Sequence, residues 1–407
     1  MTKSLDSNAS RVSPPHQSIR GISIRLRDIA GRILPRERVA TCGKQPCLNH
    51  VELRRKGDRA FFSGVETCGS VWTCPVCAGK IAEARRQEVE TVLNGHKAAG
   101  GVVYMATLTL RHHKFQTAND LRKAVADTWK RVQSGKRWKK EKNNLGFVGS
   151  IRAMEVTYGK NGWHPHIHVL FLIKNDDAAE NFGVFMFERW ARFVEKYDFG
   201  KCDPAAFKFE KAERSEAAGD YVGKWGCDAE ITKGQIKKSN VGRSPWQLLE
   251  AAGRGNKQAF KLFQEYAAAF KGARQLTWSK NLKNLFGLMD KNDDEIAAAE
   301  ELAVAVGILP KRVFRQIVKK RLLAKVLDVA DCGDFQQVLE FLKINGVNFD
   351  EKNGTSPPKG SAFGGFGPGF KKGFGCRSVG NPESGSGLCN FFAERIGQFM
   401  PGSFPKG

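Results

Sequence analysis

The hydrophobic pattern changes period several times along the chain, and each change marks a predicted element. Val102 to Leu110, VVYMATLTL, is β-branched and aromatic and predicts a strand. Ala118 to Val132 switches to helical spacing through Leu121, Val125 and Trp129, and a basic loop follows at Lys136 to Lys142. Phe147 to Tyr158 and Trp163 to Ile173 are two more strand-like runs. Gly159, Lys160, Asn161 and Gly162 between them are turn residues, so the pair predicts a hairpin. Asp176 to Tyr197 places Phe185, Phe187, Trp190, Phe193 and Val194 on or near one helical stripe. A short strand at Phe207 to Phe209 and a helix over Ala212 to Trp225 come next.

Outside this stretch the pattern is mainly helical: Gly79 to Asn94, Pro245 to Phe270, Asp294 to Val306, Pro310 to Val329 and Phe335 to Ile344, with Pro310 in the first turn of its helix. Strands separated by helices, with a hairpin in the middle, predict an α+β fold in which an antiparallel β-sheet is backed by helices. Five segments follow: a flexible basic arm over 1–37, a cysteine-rich module with a linker helix over 38–95, a sheet domain over 96–290, an accessory helical region over 291–346, and a tail over 347–407. The tail contains GSAFGGFGPGFKKGFG, from Gly360 to Gly375, which has no period that could build a core and is expected to be disordered.

Charge narrows the partner. The 66 Lys and Arg against 42 Asp and Glu leave a net charge of +24, which calls for a polyanion. No apolar run is long enough to span a bilayer, so nucleic acid fits better than a membrane. The first 35 residues lack the apolar core of a signal peptide, which argues against secretion. Five of the ten cysteines, Cys42, Cys47, Cys68, Cys74 and Cys77, crowd into one stretch, a pattern of metal binding in a reducing cytoplasm.

Three of the eight histidines lie in Trp163-His164-Pro165-His166-Ile167-His168-Val169-Leu170. On a strand, alternation puts His164, His166 and His168 on one face and Ile167, Val169 and Phe171 on the other. Imidazoles two residues apart can bind one divalent ion while the apolar face anchors the strand. If Tyr158 and Trp163 close the turn, Glu155 falls opposite His166 on the same face, and a carboxylate beside imidazoles suits Mg²⁺ or Mn²⁺. Further along, Tyr221 and Lys224 are three residues apart and would be neighbours on a helix. A lysine there can stabilise a phenolate, and a tyrosine–phosphate bond can later be reversed. Tyr266, with Lys261 on the same predicted helix, is the alternative nucleophile.

These elements, together with Ala106-Thr107-Leu108-Thr109-Leu110, resemble in type and order the three motifs of rolling-circle replication initiators of the His-hydrophobe-His endonuclease superfamily, found in bacterial plasmids and phages. The segment Cys68-Gly69-Ser70-Val71-Trp72-Thr73-Cys74-Pro75-Val76-Cys77 resembles the cysteine block ahead of the catalytic domain in the plasmid branch, and Leu276 to Leu282 resembles a segment after it. The resemblance covers roughly Arg38 to Leu288. It implies an RRM-like sheet, metal held by His166 and His168, and attack by Tyr221 that leaves a 5′-phosphotyrosine and a free 3′-hydroxyl, with Lys224 in support. It also implies origin DNA, duplex and single-stranded, as substrate, with a host helicase, polymerase and single-strand binding protein as partners; a homodimer is compatible with it. Thr107 and Thr109 match the first motif.

Plasmid members often carry a glutamate four residues before the tyrosine. Here that position is Ala217, with Glu216 and Asp220 nearby, so the step that ends replication lacks its usual residue. For zinc, Cys74-x-x-Cys77 forms a knuckle, and Cys68 matches the family block. Cys42 is the fourth ligand, with Cys47 as its substitute; a rival set pairs Cys42 with Cys47 and leaves Cys68 free. Two other function classes remain: a zinc-containing DNA-binding regulator without nuclease activity, and a transposase of the same superfamily.

Overall fold

The structure is a computed structural model and describes residues 18–196, 199, 201–212, 242–299 and 303–349. In chain order the described elements begin with helix α1 (Ile19–Ile33), strands β1 (His50–Lys56) and β2 (Arg59–Ser63), and helix α2 (Pro75–Ala98). Next come β3 (Val102–Thr109), α3 (Ala118–Val132), α4 (Gly135–Asn144), β4 (Gly149–Gly159), β5 (Gly162–Ile173), α5 (Ala179–Lys196) and β6 (Phe207–Lys211). After the gap follow α6 (Pro245–Gly253), α7 (Lys257–Phe270), β7 (Leu276–Trp278), α8 (Leu282–Leu285) and α9 (Asp293–Ala298). The last are β8 (Val304–Pro310), α10 (Lys311–Lys319), α11 (Leu323–Cys332) and α12 (Phe335–Ile344).

The main sheet has five antiparallel strands in the order β6-β3-β5-β4-β7, which puts the histidine-bearing strand at its centre. Strand β5 is two-faced by sequence. Ile167, Val169 and Phe171 are fully buried and pack in one core with Trp129 of α3 and Phe182 of α5. On the other face the sequence passes from His164, His166 and His168 to Leu170 and Leu172. The leucine half packs with Val89, Val92 and Leu93 of α2. The change from imidazole to leucine along one face therefore decides where α2 covers the sheet and where polar groups gather. The antiparallel sheet backed by helices is the fold class that the pattern predicts.

A second sheet, β2-β1-β8, joins the two ends of the described chain. Its core contains Val51, Leu53, Leu309, Phe314, Ile317, Val326, Val338 and Leu342. Arg55 donates through Nη1 to the carbonyls of Ala330 and Gly333, at 3.3 and 3.0 Å, where the dipole of α11 favours a cation.

Several local expectations are corrected. Residues 19–33, within the expected flexible arm, form α1. Ile22, Leu26, Ile29 and Ile33 repeat at helical spacing and are buried, and Ser18 caps the first turn by accepting from the Gly21 N–H. The basic loop at Lys136 to Lys142 is helix α4, anchored by buried Trp138 between Trp129 and Phe185. The helix expected from Asp294 to Val306 is short α9 followed, after residues outside the described set, by strand β8, because pairing with β1 overrides the Ala and Glu helix propensity; the accessory region is thus not purely helical. Pro245 to Phe270 is two helices, broken at Gly255, whose φ of 94° continues neither. Pro310 to Val329 is also two, and Pro310 caps α10 from the end of β8 rather than sitting in its first turn. The helix predicted over Ala212 to Trp225 and the tail fall outside the described residues, apart from Ala212 and residues 347–349.

Candidate metal centres and the family of the chain

The hairpin closes one pair tighter than Tyr158 and Trp163, at Gly159 and Gly162, and keeps the expected register. Glu155 lies opposite His166, and Ala153 opposite His168. On the other flank Thr107 pairs with His168 and Thr109 with His166. Two adjacent strands, β4 and β5, thereby bring Glu155, His166 and His168 together, with potential ligand atoms all within 4.8 Å of one another. Nε2 of His166 is 3.3 Å from Glu155 Oε2, and Nε2 of His168 is 3.6 Å from Oε1.

Hydrogen bonds behind the rings orient them. His166 Nδ1 is 3.2 Å from the His164 carbonyl, which can only accept, so Nδ1 carries a hydrogen and the ring presents Nε2 to Glu155. His168 Nδ1 is 3.0 Å from Thr107 Oγ1, which anchors the second ring. Burial alone would raise the Glu155 carboxyl, but the neighbouring His166 and His168 outweigh it and hold the group well below the usual carboxylate range. Two imidazoles and one anionic carboxylate, backed by such hydrogen bonds, fit a divalent cation that accepts nitrogen and oxygen.

His164 shares this face but does not join the group. Its Nδ1 is 3.3 Å from Nδ1 of His112, and burial, with the charges of His166 and His112, pushes its pKa down to about 4. His112 was not singled out from the sequence; its signal is the Arg111-His112-His113 run directly after strand β3. The end of that strand is held by Trp190, whose Nε1 donates to the Thr109 carbonyl at 2.9 Å.

Cys42, Cys68, Cys74 and Cys77 form a second group, all buried. The sulfurs of Cys42 and Cys74 are 3.7 Å apart, those of Cys42 and Cys77 3.6 Å, and those of Cys68 and Cys77 3.7 Å. A disulfide would need about 2.05 Å. Four thiolates about 2.3 Å from one tetrahedral ion would stand about 3.8 Å apart, so the spacing fits that ion. Cys74 caps α2 and Pro75 opens it, so the Cys77 N–H points back to the Cys74 sulfur at 3.5 Å. Gly43 and Gly69 follow Cys42 and Cys68 with φ of 65° and 61°, a conformation that a side chain resists, and each lets the chain turn directly after a sulfur. Burial and the surrounding thiols raise Cys74. Cys47 is exposed and stands outside the group.

Tyr221 and Lys224 lie outside the described residues, as do Glu216, Ala217, Asp220 and Tyr197. Tyr266 is almost fully buried, stacked on Trp163 at 6.1 Å and packed against Phe270. Tyr104 donates to Asp176 Oδ1 at 2.7 Å, and burial together with that carboxylate pushes its pKa up to about 12. Tyr158 packs edge-on against Trp163. Among the described residues no helix is long and apolar enough to cross a membrane.

The chain is similar to "Protein rep" of Streptomyces lividans, 27% identical over 301 residues that cover 57% of this chain and 66% of that protein. It is also similar to "Neomycin resistance protein" of Streptomyces cyanogenus, 33% identical over 145 residues, 30% of this chain and 33% of that protein. The chain thus spans less than two thirds of the length of either relative. No solved structure matches it. The family described as "Replication protein" matches residues 60–306, more than half of the chain, and takes in both the strands that carry the histidine group and three of the four clustered cysteines. On that match, this chain belongs to the Rep_1 family of replication proteins.

Proposed function

We propose that this replication protein initiates rolling-circle replication by nicking one strand of duplex origin DNA and remaining joined to it. The reading is carried by the convergence of Glu155, His166 and His168 from neighbouring strands. Mg²⁺ or Mn²⁺ bound there would polarise the scissile phosphate as a Lewis acid. The chain's own part is to present two oriented Nε2 lone pairs and one carboxylate, with Thr107 and the His164 carbonyl holding the rings.

Tyr221 is the nucleophile in this reading. Its phenolic oxygen loses its proton and bonds to phosphorus, the bond to the 3′ oxygen breaks, and that oxygen takes up a proton to become the primer hydroxyl. The 5′ phosphate stays on Tyr221, and Lys224 supports phenolate and phosphate. Rejoining runs the transfer in reverse. Buried Tyr266 is poorly placed to compete.

Cys42, Cys68, Cys74 and Cys77 would hold a structural Zn²⁺, because an all-sulfur donor set selects a soft ion over Mg²⁺. A host helicase, polymerase and single-strand binding protein would act on the opened strand in the cytoplasm, with the initiator alone or as a homodimer. Incubation with supercoiled origin plasmid and Mn²⁺ should yield nicked circles with protein attached. Binding without any cleavage would favour a DNA-binding regulator instead.

A further inference from the structure

Helix α10 lies beyond the residues that the family match covers, and its charge is one-sided. From Lys311 to Lys325 the sequence has seven Lys or Arg and no Asp or Glu. Val313, Phe314 and Ile317 turn inward, with Phe62 edge-on to Phe314 at 5.2 Å. Arg312, Arg315, Lys319, Lys320 and Arg321 are exposed. Spacings of three and four put Arg312, Arg315 and Lys319 in one stripe about 10 Å long. Among the described residues Arg315, Lys319, Lys320 and Arg321 make no ion pair.

The end of this helix supplies a second observation. The Leu322 N–H donates to the Ile317 carbonyl and the Arg321 N–H to the Val318 carbonyl, both at 3.0 Å, a termination that forces Arg321 to a φ of 58°. Helices α2, α4, α6 and α12 close with the same pair of bonds, and each has glycine at that position: Gly100, Gly146, Gly255 and Gly346. Only α10 among these five carries a bulky side chain there, against the conformational preference that the other four follow. The residue retained is a cation at the tip of a basic stripe.

We infer that the exposed face of α10, ending in Arg321, docks on the phosphate backbone of duplex DNA at a place separate from the Glu155, His166 and His168 group. Duplex is favoured over single strand because the exposed face carries no aromatic side chain on which an unpaired base could stack. Evenly spaced cations on a rigid helix suit phosphates. The inference deepens the initiator reading and rests on it by naming the surface that grips the origin duplex.

The test uses the full chain, a mixed-sequence duplex and a single strand of equal length, with anisotropy measured across a salt series. Arg321→Gly should raise the melting temperature and yet weaken duplex binding, whereas a merely structural Arg321 would give the first effect alone and overturn the proposal. Arg315→Gln with Lys319→Gln and Arg321→Gly should weaken duplex binding at least about tenfold and lower the slope of log K against log salt by about 2.7, or about 0.9 for each lost phosphate contact. Unchanged affinity and slope, or an equal loss on the single strand, would overturn it. Wild-type nicking of supercoiled plasmid is read in parallel. Absence of nicking beside the expected duplex losses would count against the initiator reading while supporting the α10 surface.

Discussion

Glu155 and His166 face each other directly across β4 and β5, with Oε2 3.3 Å from Nε2. A slip of one residue in the hairpin would send the carboxylate to the opposite, buried face and dissolve the group. The site therefore depends on a register that the Gly159 to Gly162 turn fixes.

His166→Ala with His168→Ala should abolish Mn²⁺ binding, measured by calorimetry, and nicking with it. Thr107→Val, which removes only the hydroxyl beside His168 Nδ1, should weaken Mn²⁺ binding by about 10–100-fold while leaving the fold intact. Unaltered affinity in the Thr107 variant would mean that the hydroxyl does not hold the ring.

Metal analysis should find one zinc per chain, retained by Cys47→Ser and lost by Cys74→Ser. Loss should lower the melting temperature by about 10 °C or more, since each kcal/mol corresponds to about 2–4 °C for domains of 150–250 residues. A zinc-bearing Cys74→Ser protein of wild-type stability would remove Cys74 from the ligand set.

His96 ties α2 to the sheet, with Nε2 at 3.1 Å from the Val102 carbonyl and 3.0 Å from that of Ile173. Burial lowers its pKa, although both carbonyls oppose the shift. The folded value lies below the unfolded value near 6.5, so as pH falls the unfolded chain takes up the proton first. Stability should decline as pH drops through about 6.5 and level off below the folded pKa, with a slope from this group of at most about 1.4 kcal/mol per pH unit. An NMR titration of the His96 ring with a midpoint at or above 6.5 would contradict this sign.

Trp190 is fully buried and holds the end of β3 through the Thr109 carbonyl. Trp190→Ala should destabilise the protein by about 3–5 kcal/mol in urea unfolding. Trp190→Phe should cost less, because the ring packing survives and mainly the hydrogen bond is lost. Equal losses in the two variants would show that the hydrogen bond, rather than the packing, dominates.

The elements around the candidate site were legible because each has a strong local signal. The hairpin register follows from period-two alternation around a glycine-bounded turn, and α3 from Leu121, Val125 and Trp129. Pairing over long distance left no such mark. Val304 to Val306 reads locally as the end of a helix, and only pairing with β1, some 250 residues earlier, makes Val304–Pro310 a strand. Helix α1 was missed through its Ser and Arg content, although Ile22, Leu26, Ile29 and Ile33 carry its period. Cys42 is preferred over Cys47 from the sequence, and the chain path buries Cys42 beside the other three sulfurs while Cys47 stays exposed. The contact of His112, in the loop after β3, with His164 of β5 has no spacing signature.

The most direct test of the central claim is mass spectrometry of the nuclease-trimmed complex formed on supercoiled origin plasmid with Mn²⁺. The account predicts a nucleotide on the peptide that contains Tyr221, and no adduct from Tyr221→Phe even though that variant still binds DNA and metal. A nucleotide on the Tyr266 peptide, or full nicking by Tyr221→Phe, would contradict it.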